Sequence, residues 1–125
     1  MRFWIGVAVL LVLLAVGIGV TVGVSVQQDR LAQIIDKAQE AVLSRGWEQA
    51  LPYARQAQRL WENTRHFAAS FADHEPLEQM DAFFSQLWIY AQEALEVEFA
   101  SVCSYISNLA KAIGESQSVF WWNLL

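Results

Sequence analysis

Asp73-His74-Glu75 is the stretch of this chain where metal-ligating groups gather most densely. Glu78 and Asp81 follow within about two helical turns, and His66 lies eight residues before His74. One imidazole among four carboxylates is a donor set that Zn²⁺ or Mn²⁺ accepts. A di-metal site in a helical bundle needs an E-x-x-H pair on each of two helices, and the sequence contains none. The same acids also suit a helix start, where carboxylates satisfy free N–H groups and complement the macrodipole. Glu78 falls at N3 if Glu75 is the cap. A structural turn is thus the first expectation, and Asp73, His74, Glu78 and Asp81 are secondary metal candidates.

Other reactive groups lead no further. Cys103 sits in an apolar stripe between Phe99 and Ile106, with Lys111 two turns away. A thiol without a cationic neighbour packs as a small hydrophobe. One cysteine makes no internal disulfide, so packing alone must hold the fold. There is no nucleophile–base–orienter set and no Gly-rich phosphate loop. The chain therefore reads as non-enzymatic, with no cofactor. Trp47, Trp61 and Trp88 fall on core stripes rather than in a ligand cage. Arg55, Arg59 and Arg65 line the second helix and read as a solvated face that pairs with acids such as Glu62.

The elements that position these groups begin with an oily segment. Phe3 to Val26 carries no charge and, as a helix, spans roughly 36 Å against a hydrocarbon core of about 30 Å. It exceeds the usual h-region of a signal peptide, and Gly23-Val24-Ser25 is not a clean cleavage site. The expectation is a transmembrane signal anchor over residues 1–26 and an acidic helical domain over 27–125. Arg2 precedes the span while Asp29 and Arg30 cancel after it. The positive-inside rule then places the C-terminal domain outside the cytoplasm, on a single-pass protein of the cell membrane. All thirteen acids but only seven of the eight Lys/Arg follow the span, so that domain is at −6. Such a charge, without a basic stripe, excludes nucleic-acid binding.

Beyond the anchor, apolar residues recur at helical spacing. The stripes are Leu31, Ile34, Ile35, Ala38, Val42; then Trp47, Ala50, Leu51, Ala54, Ala57, Trp61, Thr64, Ala68; then Leu77, Met80, Phe84, Leu87, Trp88, Ala91, Leu95; then Phe99, Val102, Cys103, Ile106, Leu109, Ile113. Gly46 is a natural C′ residue, and Pro76 suits N1. Pro52 predicts a kinked or late-starting second helix, and Gly114 the end of the fourth. Phe83, Ile89 and Tyr90 widen the third stripe, which predicts a central third helix. The fold class is all-α: an N-terminal transmembrane helix, then a four-helix antiparallel array. Either a compact bundle or a tetratricopeptide-like hairpin pair accounts for the fifty-residue offset that aligns Trp47 with Val97.

Four short motifs stand out: GWEQA (46–50), LWENTRHF (60–67), DHEPLEQMD (73–81) and the closing NLL (123–125). On these residues the chain resembles a family of uncharacterised bacterial proteins, domain-of-unknown-function family 4363. The resemblance spans nearly the whole chain and implies an anchor, a Trp-rich second helix and an Asp-His-Glu turn. Pro52, His66-Phe67 and the aromatic run before Asn123 depart from it. It implies no activity.

Two surfaces remain for partners. Ala15, Gly19 and Gly23 recur every fourth residue in the anchor, a spacing that lets a second membrane helix or a second copy approach closely. Phe120, Trp121, Trp122, Leu124 and Leu125 form an apolar tail that can cap the core, sit at the bilayer interface or engage a partner. The expected role is a membrane-anchored interaction or accessory module, held to lipid by its anchor and contacting another membrane or envelope protein. Metal sensing through His74 and lipid contact through the tail are the alternatives.

Overall fold

A computed structural model describes residues 2–71 and 74–124, with side chains left aside at 20–22, 24, 25, 67–71, 74 and 116–124. Four helices follow one another: α1 (Arg2–Ser44), α2 (Trp47–Phe71), α3 (His74–Gln92) and α4 (Glu96–Leu124). No strand occurs among the described residues. The apolar segment and the first amphipathic stripe are one uninterrupted helix of 43 residues, about 64 Å long. The boundary read from composition between 26 and 27 is a change of surroundings, without a break in the backbone.

The array is a closed bundle rather than a hairpin pair. α1 packs against both α2 and α4, most extensively against α4, and α3 packs against α4 and more sparingly against α2. Each helix thus borders its chain neighbours, and the first borders the last. The core comes from the stripes: Leu31, Ile35, Ala38 and Val42 on α1, Ala50, Ala54, Ala57 and Trp61 on α2, Met80, Phe84 and Leu87 on α3, Phe99, Cys103 and Ile106 on α4. Alanines on α2 let α1 come close, as small residues at a helix interface do. The third helix is not central. Ile89 is exposed, so α3 buries one face only, while α1 and α4 share the longest seam.

The turns follow from local chemistry. Gly46 has a φ of 107° and donates its N–H to the Ala41 carbonyl at 2.7 Å, closing α1. Its own carbonyl accepts from Ala50 at 3.2 Å, opening α2. At the other hairpin Leu95 N–H reaches the Tyr90 carbonyl at 2.9 Å, with Ala94 held at a φ of 54°. Leu95 therefore belongs to the link, not to the α3 stripe. Glu96 and Glu98 fall in the first turn of α4, where negative charge meets the positive end of the helix dipole. Trp47 and Phe99 meet edge-on with centroids 4.9 Å apart and lock the two turns together.

Three boundaries differ from expectation. α2 starts at Trp47 and runs through Pro52. Pro52 is exposed, so the carbonyl it leaves without a donor faces water, and the helix need not start later. α3 starts at His74, two residues before Pro76. The first-turn N–H groups have no intrahelical partner in any case, so proline fits there too. α4 continues past Gly114 to Leu124; a buried glycine inside a packed helix weakens it without ending it.

The two positive-φ turns predict opposite mutational effects. Ala94→Gly removes left-handed strain and should stabilise the protein by about 0.5–1 kcal/mol, whereas Gly46→Ala should cost about 1–2 kcal/mol. Chemical denaturation of the detergent-solubilised protein measures both.

Candidate functional site

Asp81, one of the acids near the α2–α3 turn, serves packing. Asp81 Oδ1 accepts the indole N–H of the buried Trp61 at 2.8 Å, and Oδ2 pairs with Arg65 at 2.9 Å. Both oxygens are thereby committed to α2. Glu78 is exposed on the next turn. Asp73 and the side chain of His74 lie outside the described residues, and elsewhere among those residues no three His, Cys, Asp or Glu converge. Trp88 adds a second indole link, donating to Gln58 Oε1 at 2.5 Å. α2 and α3 are therefore bridged by long side chains at a seam where their backbones stay apart.

Cys103 is wholly buried. Burial pushes its thiol up to about 12, and Asp36 adds to the shift. It stays protonated at neutral pH, which suits a core side chain and not a nucleophile. Gln28 is the discordant core residue. It is fully buried on α1, and among the described residues neither of its amide atoms has a hydrogen-bond partner. An unpaired amide in a core costs stability that an apolar side chain of similar size would not.

The surface clefts are shallow. One of about 350 Å³ lies over the α2–α3 seam, lined by Leu51, Arg55, Trp88, Ala91 and Gln92. A second, about 260 Å³, lies between α3 and α4, lined by Gln86, Tyr90, Val97, Glu98, Ser101, Val102 and Tyr105. Val97 is 71% exposed and Tyr105 54%. Tyr105 is stacked on Phe83 at 5.8 Å, which fixes the wall of this cleft. Glu98 lines it and is exposed, and Glu93 and Glu96, also exposed, lie just before it in the chain, at the α3–α4 turn. That end of the bundle also holds the α1–α2 turn, so it faces away from the apolar half of α1. The stripes did not single this cleft out, although Val97, Ser101 and Tyr105 recur every fourth residue on the otherwise polar face of α4.

In the apolar half of α1, Ala15, Gly19 and Gly23 are exposed. A Cβ added at either glycine meets nothing within 4 Å, so the face suited to close helix contact is open. The side chains of Phe120, Trp121, Trp122 and Leu124, and all of Leu125, lie outside the described residues.

Three substitutions test these assignments. Asp81→Ala removes the acceptor for Trp61 and the partner of Arg65, and should cost about 1–3 kcal/mol. Asp81→Asn keeps an acceptor and should cost no more than about 1 kcal/mol, since the Arg65 pair is half exposed. Gln28→Leu should gain about 1 kcal/mol or more by removing the unpaired amide. Denaturant midpoints at constant slope report all three.

No curated protein and no solved structure matches this chain. A family profile does match, over residues 20–124, from late in the apolar segment to the end of α4. The chain belongs to the family described as a domain of unknown function, DUF4363.

Proposed function

We propose that this protein is a membrane-tethered docking module without catalytic activity, presenting the α3–α4 cleft to a protein partner. The anchor reading is supported by exposure. Arg2–Gly19 is apolar enough to cross a membrane, yet only 6% of it is buried, unlike the core helix of a soluble protein. A removable signal is disfavoured because a cut near Gly23-Val24-Ser25 would fall inside α1, barely a turn before the buried Gln28.

The observation that carries the docking reading is the cleft of Tyr90, Val97, Val102 and Tyr105 beneath an acidic rim. Two large apolar side chains held in solvent by a rigid helix offer burial to a partner. The rim of Glu93, Glu96 and Glu98 steers positive charge toward them. The fitting partner is an envelope-side segment that places an apolar or aromatic side chain between lysines or arginines. Metal sensing is not favoured, since Asp81 is bound to α2.

A photo-crosslinking residue at Val97 or Tyr105, in the full-length protein in intact membranes, should trap one discrete partner. The same residue at Gln56, an exposed position on α2, should not. Adducts that are equal at all three positions, or absent from all, would overturn the proposal.

A further inference from the structure

The apolar half of α1 contains one anomaly. Gly6, Gly19 and Gly23 are exposed, but Gly17 is buried. These glycines share one helix and similar neighbours, so Gly17 must be covered by something beside α1. It lies eleven residues, three turns, before Gln28, and so on the face that carries Gln28, Leu31 and Ile35 into the core.

α4 is the helix that packs most extensively on α1, and it runs antiparallel to it. Its start meets the far end of the bundle through Phe99 and Trp47, and Asp36 acts on Cys103 further along. With Asp36 and Cys103 at about one level, one residue per residue along the antiparallel helices brings Ile113 to about the level of Val26, and Leu124 to about that of Ala15 to Gly17. α4 extends eleven residues past Ile113, about 16 Å. About twenty residues counted from Phe3 fill a hydrocarbon core, which sets its boundary near Val22. The last two turns of α4 then fall below that boundary. Glu115 is the last charged side chain of α4, and the sequence beyond it ends in Phe120, Trp121, Trp122 and Leu124.

We propose that the C-terminal turns of α4 enter the upper part of the leaflet on the bundle's side, lying against the Gly17 face of α1. The protein then holds the bilayer by one complete span and one shallow helical end. Glycine at 17 lets the second helix approach, as small residues do at helix crossings in lipid. The turns that enter carry Trp121 and Trp122 in the sequence. This inference rests on α1 being an anchor.

The test uses full-length Trp4→Phe protein in vesicles of lipid brominated near the headgroup end of the acyl chains. Tryptophan emission should be quenched relative to unbrominated vesicles, and the added substitutions Trp121→Phe and Trp122→Phe should abolish the difference. Gly17→Leu should reduce the quenching, while Gly19→Leu, on the open face, should leave it unchanged. Carbonate-resistant protein without bromine-dependent quenching would overturn this inference alone. Quenching indifferent to Gly17→Leu would overturn the seating on α1. Release of the protein from membranes by carbonate would overturn the anchor reading and this inference together.

Discussion

One continuous helix is apolar and largely exposed along its first half and buried in the bundle along its second, and α2 and α4 pack on that second half. α1 keeps an unbroken ladder of backbone hydrogen bonds from Arg2 to Ser44 while its side chains pass from exposed valines and leucines to the buried stripe of the bundle. In lipid a single segment can satisfy its backbone only as a helix, and in the bundle α1 supplies the surface on which α2 and α4 pack. Because the helix does not break between these roles, the core begins where the apolar segment ends. Gln28 marks the transition as a fully buried residue with polar atoms and no described partner for them.

Packing around α1 is uneven, and residue size explains it. Ala50, Ala54 and Ala57 bring α2 close to α1, while Leu31, Ile35, Phe99, Cys103 and Ile106 fill the α1–α4 seam. The bond between α2 and α3 is different in kind. Trp61, Trp88, Gln58, Arg65 and Asp81 reach across it with directional polar contacts. Net hydrogen bonds contribute roughly 1 kcal/mol each, and a half-exposed ion pair less, so this seam orients helices that burial elsewhere already holds.

Much of the fold is legible because periodic stripes and glycine positions report forces that act locally. Leu31 to Val42 and Phe99 to Ile106 are buried as their spacing requires, and Gly46 closes α1 as a C′ glycine should. The misreadings arise where tertiary contact overrides a local signal. Gly114 does not end α4, since a helix held by a neighbour tolerates it, and the exposed Pro52 does not delay α2. The site was less legible for the same reason. Asp81 is one acid among several in the sequence, and only its placement beneath Trp61 and Arg65 fixes its use. Val97 and Tyr105 line a cleft only because α3 lies beside them, a tertiary fact that their spacing on α4 does not carry. Gly17 was unremarkable among the glycines until its burial set it apart.

The stiffness of α1 carries a mechanical consequence. From Val26 to Ser44 the rod continues for about 27 Å beyond the apolar segment, with no hinge between them. Apolar helices answer a thinner or thicker bilayer by changing tilt. Set in a bilayer, this rod acts as a lever: a lean of about 20° carries its far end sideways by roughly 9 Å. Bilayer thickness would thereby set the lateral reach of whatever the bundle holds at its tip.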